Sequence, residues 1–442
     1  MENRYDKYKD SGIAWIGEIP EHWEVRRLKH LGKNYNGLTY SPNDICGSED
    51  GILVLRSSNI KDNKLCFDDN VYVKKEIPQK LIVNKGDILI CSRNGSAELI
   101  GKAAFIELQM VATFGAFMMI FKGTSNIYHK YLFYIVTSCI SQYKWLFTTA
   151  TINQLTSSML GEIFAPFINN NLEQKPIATY LDQKCGEIDE LITLQEEMIT
   201  KLQSYKQSVI TEAVTKGLDK NVPLKDSGIE WIGEIPEHWE ASKTLFSLSM
   251  PITDGPHTTP ELFETGIPFV SAEAVSFGNG RIDFSHIRGY ISENFYQECC
   301  KKYIPQIDDI YMIKSGATTG RVAIVDTDIK FTIWSPLAVF RCNKERMLPR
   351  FLFYQLQSNG YQKQIELNWS YGTQQNIGMR TLEKLILSVP PLSEQQSIAD
   401  YLDQKCCEID ELISIKQQKI EKLKDYKKSL IFECVTGKRK VS

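Results

Sequence analysis

Six polar segments of this 442-residue chain hold the side chains best suited to chemistry. Residues 34–44 (NYNGLTYSPND) carry Tyr35, Asn36 and Thr39; residues 92–98 (SRNGSAE) carry Arg93 and Asn94, with Lys102 close behind; residues 148–158 (TTATINQLTSS) carry Asn153 and Gln154. In the second half, 252–261 (ITDGPHTTPE) offers Asp254, His257 and Thr258. Residues 314–321 (KSGATTGR) offer Lys314, Ser315, Thr318 and Arg321, and 368–378 (NWSYGTQQNIG) offer Tyr371, Thr373, Gln374 and Gln375. Asn and Gln match adenine edges, Arg matches guanine, and hydroxyls, ammonium groups and backbone amides match phosphate. The same residue types dominate ordinary turns, and for any one segment that reading suffices. Six such segments at equivalent places of a repeated framework point to recognition, with DNA as the matching ligand.

Other chemistry finds no constellation. There is no G-x-x-x-x-G-K-[ST] loop (GSAELIGKA at 95–103 fails in spacing), no G-x-G-x-x-G, no G-x-S-x-G and no H-E-x-x-H. SVPPL at 388–392 lacks the amide and aromatic of a base-methylation motif. Asp326, Asp328 and Lys330 form a nuclease-like fragment without a matched acid in the first half. Eleven cysteines include no C-x-x-C pair, so no metal site is expected and scattered reduced thiols are. His22 and His238 recur between Glu and Trp, where packing or capping is the expected role. Net charge is −3, which gives no overall basic footprint, yet Arg26, Arg27, Lys29 and Lys33 cluster, as do Lys416, Lys419, Lys422, Lys424, Lys427 and Lys428. Each cluster also reads as a solvated face. No run approaches the roughly 20 apolar residues that span a bilayer, and the N-terminal residues lack a signal-like apolar core. A cytoplasmic protein without membrane contact is expected.

The elements that must position these segments repeat. KDSGIAWIGEIPEHWE (9–24) and KDSGIEWIGEIPEHWE (225–240) match at 15 of 16 positions. Residues 177–215 and 398–436 share 24 identities in 39 positions. In the second pair, apolar residues step as a heptad seam. Leu181, Cys185, Ile188, Ile192, Ile199, Leu202 and Val209 form it in the first copy, and Leu402, Cys406, Ile409, Ile413, Ile420, Leu423 and Leu430 in the second. Its gaps fall at Gln195 and Lys206, and equivalently at Lys416 and Lys427. Each copy predicts a helix of about 38 residues, roughly 57 Å, opening near Glu173 with Pro176 in its first turn. Each seam would bury itself most economically against the other, with the polar gaps fixing register. The unit of motif, insert and helix closes on itself when the chain is drawn as a circle. That order predicts meeting termini, antiparallel helices and pseudo-twofold symmetry.

The inserts barely match, yet NKGDILICSRNGS (84–96) parallels QIDDIYMIKSGAT (306–318), and YLFYIVTS (131–138) parallels FLFYQLQS (351–358). One α/β (α+β) fold with mixed sheets is expected for both. The divisions drawn are 1–24 and 217–240 for the frame motifs, 25–171 and 241–392 for the inserts, and 172–216 and 393–442 for the helices.

The S-G-I-x-W-x-G-x-I-P-x-H-W box at 11–23 and 227–239 resembles the specificity subunit of type I restriction–modification systems. So do I-A-x-Y-L-D-x-K…I-D-E-L-I and P-L-S-E-Q-Q-x-I-A at 391–399. ITDGPH (252–257) resembles a loop of that family's target-recognition domains. Insert one departs from it, with NGLTYS in place of the DGxH loop and NNNLEQ at 169–174 in place of PPLSEQ. The resemblance implies two target-recognition domains, each reading half of a bipartite double-stranded DNA site, and paired helices that set the spacer. It implies two methyltransferase subunits bringing S-adenosylmethionine, and restriction–translocase subunits using ATP and Mg, with no cofactor or catalysis in this chain. The alternative is a protein scaffold whose inserts bind other proteins.

Overall fold

The computed structural model describes residues 4–147, 153–371 and 375–441. It is mixed α/β and falls into two compact units, one of residues 1–194 and 418–442, the other of residues 195–417. The first long helix, Asn171–Lys216, has 46 residues, and the second, Leu392–Val435, has 44. Each therefore gives one half to each unit.

Both helices exceed the expected length because they begin earlier. The Asn170 side chain accepts the Leu172 N–H at 3.0 Å and caps the first helix ahead of Glu173. Pro176 thus lies in the second turn rather than the first. Leu172, whose carbonyl would receive the missing N–H, is 83% exposed, so water can serve it.

In the first unit, one antiparallel sheet has the strand order Ala103–Phe105, Ile88–Cys91, Met118–Gly123, Gly32–Asn36. A second sheet orders Ala112–Phe114, Ile52–Leu55, Val71–Val73 and Ile45–Cys46, its first two strands parallel. The other unit repeats the plan. Val322–Ile324, Ile310–Ile313, Leu337–Phe340 and Thr253–Asp254 form its antiparallel sheet, and Tyr290–Ile291, Ile267–Val270 and Thr332–Ile333 its mixed one.

The central strands explain why the apolar runs are unbroken. Side chains of a strand alternate between faces. Ile88 and Ile90 enter the core shared with helix His129–Tyr143, while Leu89 and Cys91 enter the core of the second sheet. Ile310 and Met312, against Tyr311 and Ile313, divide in the same way. A strand buried on both faces must be apolar throughout.

The repeated motifs lock each unit at its helix ends. Trp23 is fully buried, and its indole N–H donates to Glu173 at 3.2 Å; His22 Nε2 lies 3.0 Å from the same carboxylate. Trp239 and His238 hold Glu394 at 3.0 and 2.7 Å. The histidines are thus buttresses of the frame. Gly437, with φ +72°, ends the second helix against Trp23, and Gly217, with φ +75°, ends the first against Trp239. The left-handed conformation at a helix C-terminus favours glycine. In the first unit the chain ends meet: Tyr8 donates to the Gly437 carbonyl at 3.0 Å, and Lys438 to the Ile16 carbonyl at 2.6 Å.

The helices run antiparallel within each unit. Lys427 binds Asp189 at 2.6 Å in the first unit; Lys206 binds Asp410 at 2.7 Å and Lys416 approaches Gln195 at 3.5 Å in the second. All four seam gaps therefore carry polar cross-helix contacts. Leu181, Ile188, Val209, Leu402, Ile409, Ile420 and Leu430 are buried, while Ile192, Ile199, Leu202, Ile413 and Leu423 are half-buried.

Candidate nucleic-acid interface

The strand Gly32–Asn36 runs into Gly37, where an added Cβ would lie 2.1 Å from the Gly115 carbonyl oxygen. The strand Thr253–Asp254 runs into Gly255, where a Cβ would lie 2.0 Å from the Ile333 carbonyl oxygen. Only glycine fits either crossing. Asn36-Gly37 and Asp254-Gly255 are therefore one structural loop. Insert one thus keeps the glycine crossing, with Asn36-Gly37-Leu38-Thr39 where insert two has Asp254-Gly255-Pro256-His257, and neither the Asp nor the His of the motif.

In the first unit, segments far apart in sequence converge. Leu155 N–H donates to the Ser92 carbonyl at 2.8 Å, and Arg93 forms an isolated bridge with Gln154. Ser157 Oγ donates to the Asn36 side chain at 3.0 Å, and Asn94 donates to Ser57 Oγ at 3.2 Å. Thr39, Arg93, Lys102, Asn153 and Gln154 are exposed. The Arg93 guanidinium stands 5.6 Å over the ring of Phe117, itself 60% exposed. Tyr35 lies lower, packed on the core of the second sheet with Lys122 over its ring at 5.8 Å.

The second unit is zipped similarly. Ile377 N–H donates to the Lys314 carbonyl at 2.9 Å, and Gly316 N–H to the Gln375 carbonyl at 3.0 Å; Ser315 bridges Asn376. Strand Ser370–Tyr371 pairs with Gln375–Asn376, while Thr373 and Gln374 lie outside the described residues. Thr318 accepts from Ser276 Oγ at 3.1 Å, and Arg321 donates to the Ser276 carbonyl at 3.1 Å. His257, Thr258 and Arg321 are exposed.

Asp254 behaves differently from its neighbours. It is 1% exposed and cannot itself face a ligand. Its carboxylate binds Lys302 at 2.5 Å, Lys314 at 3.3 Å and His257 Nε2 at 3.2 Å. Burial pushes its carboxyl up, but Lys302 and Lys314 outweigh that and hold it below the usual carboxylate range. Sequence reasoning missed Lys302, which lies 48 positions from Asp254 with no motif around it. It also missed Phe117, Ser57 and Ser157. The N-G and D-G dipeptides were the one available signal that the two loops correspond.

Several basic residues of the sequence clusters are spent within the fold. Arg27 and Lys29 both bind Glu162 at 2.7 Å, and Arg26 binds Glu24 at 2.8 Å. Among the described residues, no group of three or more His, Cys, Asp or Glu is arranged to hold a metal ion, and no helix is long and apolar enough to cross a membrane.

This is a duplicated α/β domain on paired long helices, with polar loops gathered beside each antiparallel sheet. A family model described as the type I restriction modification DNA specificity domain matches residues 20–203 and 256–425. The chain is 30% identical over 436 residues to the putative type I restriction enzyme MjaX specificity subunit of Methanocaldococcus jannaschii, covering 96% of each. It is 25% identical over 278 residues to the EcoKI specificity subunit of Escherichia coli, covering 62% of this chain and 57% of that one. A solved chain from work on assembly and conformational transition of the type I R-M system superposes with a TM-score of 0.66 at 16% identity, covering 94% of this chain and 98% of that one. The chain belongs to the family of type I restriction–modification specificity subunits.

Proposed function

We propose that each unit reads one half of a bipartite double-stranded DNA site through the loops described above. In this reading, the paired helices fix the unread spacer and offer docking surface to two methyltransferase subunits. S-adenosylmethionine, ATP and Mg belong to those subunits and to restriction–translocase subunits that join them in the cytoplasm. This chain contributes recognition and no catalytic step.

One observation carries the reading. The two units share strand order, helix-end locks and loop positions, yet the side chains at those positions differ. Asn36 stands where Asp254 does, and among the described residues Arg93 over Phe117 has no counterpart in the aromatic–cation contacts of the second unit's 314–321 loop. A conserved frame with two different reading surfaces is what a two-part site requires. Arg93 and Arg321 are the exposed guanidiniums best placed for bases or phosphates.

A gel-shift assay with the methyltransferase subunits present tests this. The expected complex forms on duplexes holding two half-sites at one spacing, and weakens steeply with salt. Arg93→Ala and Arg321→Ala should each weaken it by roughly 5–100-fold, on the scale of one lost base or phosphate contact. Absence of any shifted complex across the salt series would sink the proposal.

A further inference from the structure

We infer that Lys302, Lys314 and His257, gathered on the buried carboxylate of Asp254, form a built binding site for a phosphodiester group of the DNA backbone. The inference rests on the proposed DNA reading and deepens it. It also gives Asp254 a new role, as a positioning residue rather than a base reader.

Three features of the cluster carry the assignment. First, the charge is unbalanced. One carboxylate faces two ammonium groups, leaving +1 with His257 neutral and +2 with it protonated. A buried Asp answered by one Lys would be a closed structural pair; the second Lys and the His exceed what charge neutrality needs. Second, exposure is graded. Asp254 is 1% exposed and Lys314 13%, whereas the Lys302 and His257 side chains are 50% and 72% exposed. The negative group is inside and the positive donors face outward. Each ammonium has three N–H donors, so binding Asp254 leaves others for an anion. Third, the scaffold fixes the donors. Asp254 precedes the glycine crossing at Gly255, and Lys314 is held by its N–H to the Pro336 carbonyl at 2.8 Å and by its own carbonyl to Ile377 N–H. Lysine on a buried anchor is a point-charge phosphate ligand without base preference.

Insert one lacks the anchor. Asn36 is neutral and takes its hydrogen bond from Ser157. The site is therefore assigned to the second unit alone.

The test uses the full chain with its methyltransferase subunits and a fluorescein-labelled mixed-sequence duplex, read by anisotropy across a KCl series. Asp254→Asn raises the net charge by one. If the cluster were merely a diffuse positive surface, this variant would bind as tightly as the parent or more so. If it is a built site, the lysines lose their anchor and affinity falls several-fold. Lys302→Ala, at a half-exposed position that should not disturb folding, is expected to weaken binding several-fold. It should also flatten the slope of log affinity against log salt by about 0.9, the counterion release of one phosphate contact. Lys302→Arg should recover most of both. An unchanged salt slope in folded Lys302→Ala, or undiminished affinity in folded Asp254→Asn, would overturn the site while leaving the DNA reading intact. A parent complex that binds no duplex would overturn both. Inorganic phosphate separates free anion from backbone: it should compete no better than KCl of equal ionic strength, and stronger competition would contradict the phosphodiester assignment.

Discussion

Burial alone decides much of the cysteine chemistry at the residue scale. Desolvation pushes the thiols of Cys185 up to about 11 and of Cys342 and Cys434 to about 12, so they stay protonated at neutral pH and are poor nucleophiles. Cys407 is exposed, Cys46, Cys66 and Cys300 are half-buried, and the other seven are buried. Native alkylation with iodoacetamide, read by mass spectrometry, should label Cys407 first and leave those seven intact until unfolding. Rapid labelling of Cys185 or Cys434 in folded protein would contradict this packing. Asp254 has the opposite sign. Its folded carboxyl titrates below the unfolded one, so its contribution to stability is present above the ordinary carboxylate value and is lost as pH falls through the lowered one. The packing role of the two histidines was legible from residue types and repeats. What His22 and His238 grip was not, because Glu173 and Glu394 lie 151 and 156 positions away. The NNNLEQ departure in insert one leaves these helix-start contacts in place. It keeps the Glu–Gln pair, and Gln174 and Gln395 both cap an insert helix, accepting the N–H of Tyr128 and of Leu348 at 2.8 Å.

Among the elements, the long helices were the most legible, since a heptad seam and its gaps survive in the sequence. The gaps announced Lys206 and Lys427 but not their partners, because Asp189 and Asp410 sit off the seam and read as ordinary surface acids. Lys427 and Asp189 have side chains only 17% and 28% exposed. Asp189→Ala leaves that ammonium poorly solvated and should destabilise the first unit by roughly 1–3 kcal/mol. Adding Lys427→Met to Asp189→Ala should recover most of the loss, since it removes the unpaired charge from the seam. Urea unfolding of the single and double variants checks this as a cycle, and strict additivity would show that the two side chains do not interact. The strands of the inserts were legible as short β-branched runs. Their order was not: the parallel pairing of Ala112–Phe114 with Ile52–Leu55 joins residues about 60 apart, and no local periodicity encodes such a partner.

For the whole molecule, circular order proved the most informative property of the sequence. It foretold that residues near the two ends would meet, and Tyr8 and Lys438 bring them together in the first unit. It could not say that two inserts with so few shared residues keep one strand order, because packing tolerates many sequences on one pattern of burial. The central claim is that this chain alone fixes which DNA is modified, one half-site per unit. The most direct test is mapping methylated positions on DNA modified by the reconstituted complex. The account predicts a single bipartite motif, two short specified half-sites separated by unspecified bases of one constant number. A continuous motif, a variable spacer, or no motif at all would contradict it.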